Sequence, residues 1–160
     1  TGADDETLAN GEVLEPSSQP GSGAMDVQAG IGYSRFLSTS TTLDASAVYT
    51  LRGEHGGFTV GDRLDLGVAV ARRLSGEARS HSGWTLFGEL LAVVLIKDEA
   101  GSALNPNSGG TILFASPGVR YRFENGVAVS LSPSIPVTQD WNGAQIETAL
   151  KVSLVVSFNW

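Results

Sequence analysis

Glu89 and Arg120 are opposite charges at alternate positions of two consecutive extended segments, and Arg122 follows two residues after Arg120. Lys97 ends the segment that holds Glu89, while Arg63 and Asp65 share one face of an earlier segment. Placing the intervening turn midway between the two segments sets Glu89 roughly opposite Arg120. Side chains of these types on one interior face can do two things. They can pair across neighbouring strands, because an unpaired charge in a narrow interior is poorly solvated. Alternatively, several like charges at one level can form a ring that selects a solute. Glu89, Lys97, Arg120, Arg122, Arg63 and Asp65 are therefore the candidate lumen-lining residues.

Catalytic chemistry finds less material. A nucleophile needs a base and an orienting group within hydrogen-bond reach, and His55 and His81 are the two imidazoles of the chain. The segments between them put one at each end of the strands, and His55 stands between Glu54 and two glycines with no serine beside it. With no cysteine, a metal site would have carboxylates alone. The glycines fall at strand and turn positions and form no phosphate-binding motif. The expectation is a protein that is not an enzyme and holds no metal or cofactor. A net charge of −7 speaks against nucleic acid, whose phosphates require clustered Lys and Arg.

The elements that would position these charges are strands. In the last stretch, Ile146 to Trp160, the residues Leu150, Val152, Leu154, Val156, Phe158 and Trp160 form one apolar row. Ala149, Lys151, Ser153, Ser157 and Asn159 form the opposite row, interrupted by Val155. An exposed terminal strand in water has little use for six apolar residues on one face, whereas a strand facing lipid does. Val156, Phe158 and Trp160 resemble the C-terminal signal by which bacterial outer-membrane barrels are recognised for assembly.

The same two-faced pattern recurs upstream. Val27, Ala29, Ile31 and Tyr33 oppose Gln28, Gly30, Gly32 and Ser34; Leu43 to Leu51 and Leu64 to Val70 repeat it. A fourth strand, Trp84 to Lys97, carries Leu91, Val93 and Leu95 on its otherwise polar face. A fifth sets Leu113, Ala115, Val119, Tyr121 and Phe123 against Ser116, Gly118, Arg120 and Arg122. The sixth sets Val127, Val129, Leu131, Ile135 and Val137 against Ala128, Ser130, Ser132, Ser134 and Thr138. Pro117 and Pro133 each remove a ladder donor, so a bulge or broken pairing is expected at each.

The polar face is rich in Gly, Ala and Ser with sparse charges of both signs, which suits a crowded barrel interior better than a face meeting bulk water. Mean hydropathy of +0.04 is too polar for a helical membrane protein, and no apolar run reaches the length of a spanning helix. Residues 1–24, with Asp4, Asp5, Glu6, Glu12 and Glu15 and a Pro/Ser/Gly-rich end, read as an acidic extracellular loop or arm; residues 25–160 read as barrel strands. Connections at 53–61, 98–110 and 139–145 are longer on average than those at 37–41, 75–83 and 124–126, the asymmetry of outer-membrane barrels. The chain opens on Thr1 without a signal peptide or initiator Met, which reads as a processed, trimmed or partial polypeptide. The fold expected is an all-β, antiparallel transmembrane β-barrel with seven strands in this chain. Bacterial barrels have even strand numbers, so it reads as part of a larger barrel.

The runs LEPSSQPGSG, DVQAGIGYSRF, GDRLDLGVAV, SGGTILFASPGVRY and VAVSLSPSIPVTQDWNG resemble the C-terminal half of the outer-membrane transporter family associated with the meta-pathway of phenol degradation. The resemblance covers nearly the whole chain and implies a location in the outer membrane of a Gram-negative cell. Its implied partners are membrane lipid, the barrel assembly machinery and a small, hydrophobic or aromatic solute. No catalytic or binding position follows from it. The alternatives are a barrel with a filled interior that serves a structural or interaction role, one completed by a partner, and a soluble β-sandwich.

Overall fold

The computed structural model describes residues 7, 11, 23–74 and 82–158. The strands in chain order are β1 (Val27–Phe36), β2 (Thr41–Leu51), the short β3 (Glu54–His55) and β4 (Phe58–Thr59), β5 (Arg63–Arg73) and β6 (Gly83–Leu95). They continue with the short β7 (Glu99–Ala100) and β8 (Ala103–Leu104), then β9 (Gly110–Arg122), β10 (Val127–Trp141) and β11 (Lys151–Phe158). Among the described residues there is no helix. The long strands form one antiparallel meander in the order β1-β2-β5-β6-β9-β10-β11.

Backbone pairing keeps the alternation of each strand in phase with the next. Tyr33 faces Ala45, Ala45 faces Val68, Val68 faces Leu90, Leu90 faces Ala115 and Ala115 faces Ile135, so one apolar row crosses six strands. The opposite row runs through Ser46, Gly67, Leu91 and Phe114. A slip of one residue anywhere would throw a strand's large side chains onto the wrong face.

The two faces differ in exposure in an unusual sense. Ile31 is 75% exposed, Val152 63% and Leu154 67%, all on the apolar row. Buried side chains of the long strands, Thr50, Val93, Ile112, Phe114, Ser116, Ala128 and Ser130, all lie on the other row. Among the described residues no second layer covers that row, so the sheet buries it by curling around it. The curled-in row is the inner face and the apolar row the outer face, as the alternation predicts.

The sheet is not closed. β1 and β11 are both edges, so an open antiparallel sheet stands where a barrel was expected. In a meander of seven long strands the first and last run in the same direction, and no antiparallel ladder can join them directly.

Other differences from expectation are local. Strand β6 ends at Leu95, which leaves Lys97 in the connection to β7. The last strand begins at Lys151 instead of Ile146, because the Gln139 side chain satisfies the backbone of Thr148: Nε2 donates to Thr148 O at 3.0 Å and Oε1 accepts from Thr148 N at 2.8 Å. Connections expected as plain loops contain the small sheet β3-β4-β7-β8. Its first hairpin turns on Gly56 and Gly57, both at positive φ, where glycine is the residue without steric cost. Trp160, the 75–83 turn up to His81 and nearly all of the 1–24 arm lie outside the described residues.

The prolines act, but not as single bulges. Pro117 keeps register with Gly88 of β6. On its other side the ladder runs to Val119 and Leu131 and resumes at Ala115 and Ile135, a register that sets Pro133 across from Pro117. Neither can donate a backbone hydrogen bond, and serines fill the gap: Ser132 Oγ donates to Pro117 O at 3.0 Å and Ser116 Oγ to Ser134 Oγ at 2.7 Å. The register shift itself falls later, between Pro136 and Thr138. It moves Thr138 to the outer face, opposite Leu113, and turns Gln139 and Trp141 inward.

In lipid bilayers, Arg at Leu66, Val129 or Leu154 is expected to cost about 2–4 kcal/mol near the midplane, and Arg at Ser153 to cost little. Urea titration of protein folded into phospholipid vesicles checks this; equal tolerance at all four positions would contradict the face assignment.

Candidate functional site

The inner face is divided along the strands into three zones. At the loop end, next to the connections 96–109 and 142–150, Val93, Ile112 and Phe114 form the buried core, with Leu91, Leu95 and Trp141 packed against it. Lys151 reaches over from β11 and sets its Nζ 4.2 Å from the centre of the Phe114 ring, a cation–π contact across the curl. Beside this cluster Arg63 and Asp65 pair within one strand, Nε to Oδ2 and Nη2 to Oδ1, both at 2.7 Å. Each neutralises the other, which removes both from any role as a free charge on the inner face.

The middle zone is a trough of about 320 Å³ in which Ser116, Ser130, Ser132, Ser134 and Ser153 lie between Glu89 and Arg120. The two charges do share this face and this trough. They are not a pair: Glu89 faces Ser116 and Arg120 faces Thr85 in the β6–β9 ladder, an offset of four positions and roughly 13 Å of strand rise. Glu89 lies toward β5, where its Oε1 is 3.7 Å from the site a Cβ on Gly67 would occupy. Arg120 lies the other way, donating from Nε to Ser130 Oγ at 3.0 Å, with its guanidinium 5.9 Å from the Phe87 ring centre. Phe87 in turn fills the space a side chain on Gly118 would need.

The expected opposition of Glu89 and Arg120 fails because β6 ends and β9 begins earlier than expected: Leu95 pairs with Gly110, which centres the connection between residues 102 and 103 and sets Glu89 against Ser116. Within the connection β7 and β8 turn at Gly101 and Ser102, and its second half is pinned to the strand ends. Asn105 N donates to Asp98 O at 2.8 Å, Asp98 N to Ser108 Oγ at 2.8 Å and Asn142 Nδ2 to Ser108 O at 3.1 Å.

The third zone, at the turn end, is a hollow of about 130 Å³ lined by Arg73, Gly83, Thr85, Arg120 and Arg122. Arg73, Thr85, Arg120 and Ser130 stand in one row across four strands, and Arg122 faces Gly83 one step nearer the turns. Arg73 was legible as an inner-face residue from its strand parity, but not as a neighbour of Arg120, which depends on register. Ile112 and Phe114 were legible in the run Ile112–Ala115, apolar on both parities, which marks a strand buried on its inner side as well.

Acidic residues near the loop end work as backbone caps. Asp26 accepts from Gly53 N and pairs with Arg52; Asp62 accepts from Arg52 N and from the Tyr49 hydroxyl; Asp98 accepts from Gly61 N. Desolvation works to raise the Asp26 pKa, but the Gly53 amide and the Arg52 guanidinium outweigh it and hold the carboxyl below its ordinary value. Among the described residues no group of three His, Cys, Asp or Glu could hold a metal ion. His55 lies exposed in β3 at the loop end, and His81 lies outside the described residues.

No protein-family model, curated protein or solved structure matches the chain.

The Asp26 clamp sets a pH dependence. A depressed carboxyl pKa contributes stability above the unfolded value of about 3.9 and loses it as pH falls through the lower folded value. Asp26→Ala is therefore expected to be less stable than the parent above about pH 4 and to converge with it in more acidic solution; denaturant titrations from pH 2 to 6 check this, and a constant gap across the range would contradict it.

Proposed function

We propose that this chain forms the wall of a bacterial outer-membrane β-barrel that passes or binds a small hydrophobic or aromatic solute along its inner face. One observation carries the reading: large apolar side chains of six of the seven long strands, all but β9, are exposed on the outer face, while the buried side chains of the long strands lie on the inner face. A water-soluble sheet has the reverse arrangement, and an apolar surface this continuous needs lipid or another apolar cover. On this reading the turns 37–40 and 123–126 face the periplasm and the longer connections 52–62, 96–109 and 142–150 face outward.

An aromatic group on the outer face at the turn end agrees with that orientation. Trp84 and Tyr121 have ring centres 4.8 Å apart and Tyr121 and Phe123 4.7 Å apart, a fragment of the interfacial girdle such barrels carry. Closing the sheet with antiparallel ladders at both edges takes an odd number of further strands, which makes the total even. The resemblance of the chain to the phenol-pathway transporter family points to the same class, with Val156, Phe158 and Trp160 as the segment the assembly machinery would read.

A second reading, a barrel with a filled interior and no transport, is favoured by the apolar cluster of Val93, Ile112 and Phe114 on the inner face at the loop end. Expression of the full chain with membrane fractionation, followed by reconstitution into vesicles, separates the two. Transport predicts recovery in the outer membrane, loss of that recovery in Phe158→Asp, and release of small trapped solutes from vesicles. Insertion without release would select the filled barrel, and a protein soluble without detergent would overturn both.

A further inference from the structure

We infer that the outer face carries a binding site for one anionic phospholipid at its turn end, where Arg35 and Arg72 grip the phosphate and an apolar groove beside them takes an acyl chain. The inference rests on the proposed lipid-facing role of that face and names the lipid it would hold.

Strand parity sets both arginines among the outer hydrophobes. Arg35 faces Leu43 and stands in the row that continues through Val70, Gly88 and Pro117. Arg72 lies one step nearer the turns, between Thr41 and Leu86. Each is the next-to-last residue of its strand at the turn end. Charge on a lipid-facing row is costly at mid-bilayer and tolerated near the interface, and on the proposed orientation the interface falls at these strand ends. Both residues are exposed, and neither makes a hydrogen bond or ion pair with the described residues. Their backbones stand roughly 12 Å apart, two strands across and two residues along. That span lets two long guanidinium side chains converge on one phosphate from either side of Thr41, whose hydroxyl can donate to it as well.

A shallow groove of about 370 Å³ opens beside them on the same face, lined by Val68, Val70, Gly88, Leu90, Ala115 and Pro117. Glu89 and Ser116 border it with side chains that alternate to the inner face, and its surface is almost wholly apolar. Gly88 leaves the room: a Cβ there would meet no atom within 4 Å. Val70 joins the two parts, two residues from Arg72 on one strand and in the row of Arg35. Cations at the end of an apolar groove complement an anionic headgroup followed by a hydrocarbon chain. Among the described residues β1, β2, β5 and β6 put no carboxylate on the outer face, because Asp44, Asp65 and Glu89 alternate inward. Asp140, the outward acid of β10, lies at the loop end opposite Thr111. The cationic end of the outer face is thus the one that the proposed orientation sets in the periplasmic leaflet, and a planar guanidinium fork suits a phosphodiester.

The test uses the full chain folded in detergent, with phosphatidylglycerol and phosphatidylcholine of identical acyl chains as competing probes and bound lipid counted by native mass spectrometry. Phosphatidylglycerol should be preferred by about 20-fold, and Arg35→Gln and Arg72→Gln should each lose about fivefold of that preference, the attraction of one basic side chain to an anionic lipid. Neither arginine has a contact with the described residues to lose, so both variants should insert into vesicles as the parent does. Arg72→Lys should keep most of the preference. Gly88→Leu, which fills the groove, should weaken retention of both lipids severalfold. Inorganic phosphate should not displace the lipid; displacement would reveal a site for the free anion and overturn the proposal. Insertion with no headgroup preference, or with a preference unchanged in both Gln variants, would overturn the lipid site and leave the barrel reading standing. Failure to insert into vesicles of any composition would overturn both.

Discussion

The backbone ladder, with its register held through six consecutive strand pairings, is the constraint from which the rest follows. Side chains alternate with a period of two, so the ladder decides which residues share a face, and the sequence places large apolar residues on the outer parity of the long strands, with β6 and β9 carrying them on the inner parity as well. Curling then turns a difference between faces into a difference between outside and inside. The short turns 37–40 and 123–126 hold this phase at one end. At the other, Asp26, Asp62 and Asp98 tie the ends of neighbouring strands together through backbone amides.

Within that frame the inner face is graded along its length. Its loop end is packed with aliphatic and aromatic side chains, its middle is hydroxyl-lined and its turn end is cationic. The opposed prolines Pro117 and Pro133 lie at the middle of the β9–β10 seam, where serine hydroxyls replace missing ladder bonds. The hydroxyls of the trough are thus partly spent on the backbone and on one another.

What the sequence made legible was whatever depends on local geometry: the parity of each strand, the turns, the inward placing of Glu89, Arg120 and Arg122. What it hid depends on how strands slide against one another. The partner of Glu89 could not be read, because the register is set by where β6 ends and β9 begins, at Leu95 opposite Gly110, and alternation alone does not mark those ends. The inward turn of Gln139 and Trp141 could not be read either, since it follows from a shift between Pro136 and Thr138 that strict alternation does not anticipate. The gathering of Arg73 with Arg120 is likewise a fact of register, spanning a sequence distance that no spacing rule covers.

On the proposed function the outer face meets lipid and the inner face meets water. The absence of cysteine from the chain permits single-cysteine spin labels at Leu131, Ser132, Val152 and Ser153 without background. In vesicles, labels at Leu131 and Val152 should relax with oxygen dissolved in the bilayer, and labels at Ser132 and Ser153 with a water-soluble paramagnetic complex. Water accessibility at all four positions, or the reverse alternation, would contradict the account.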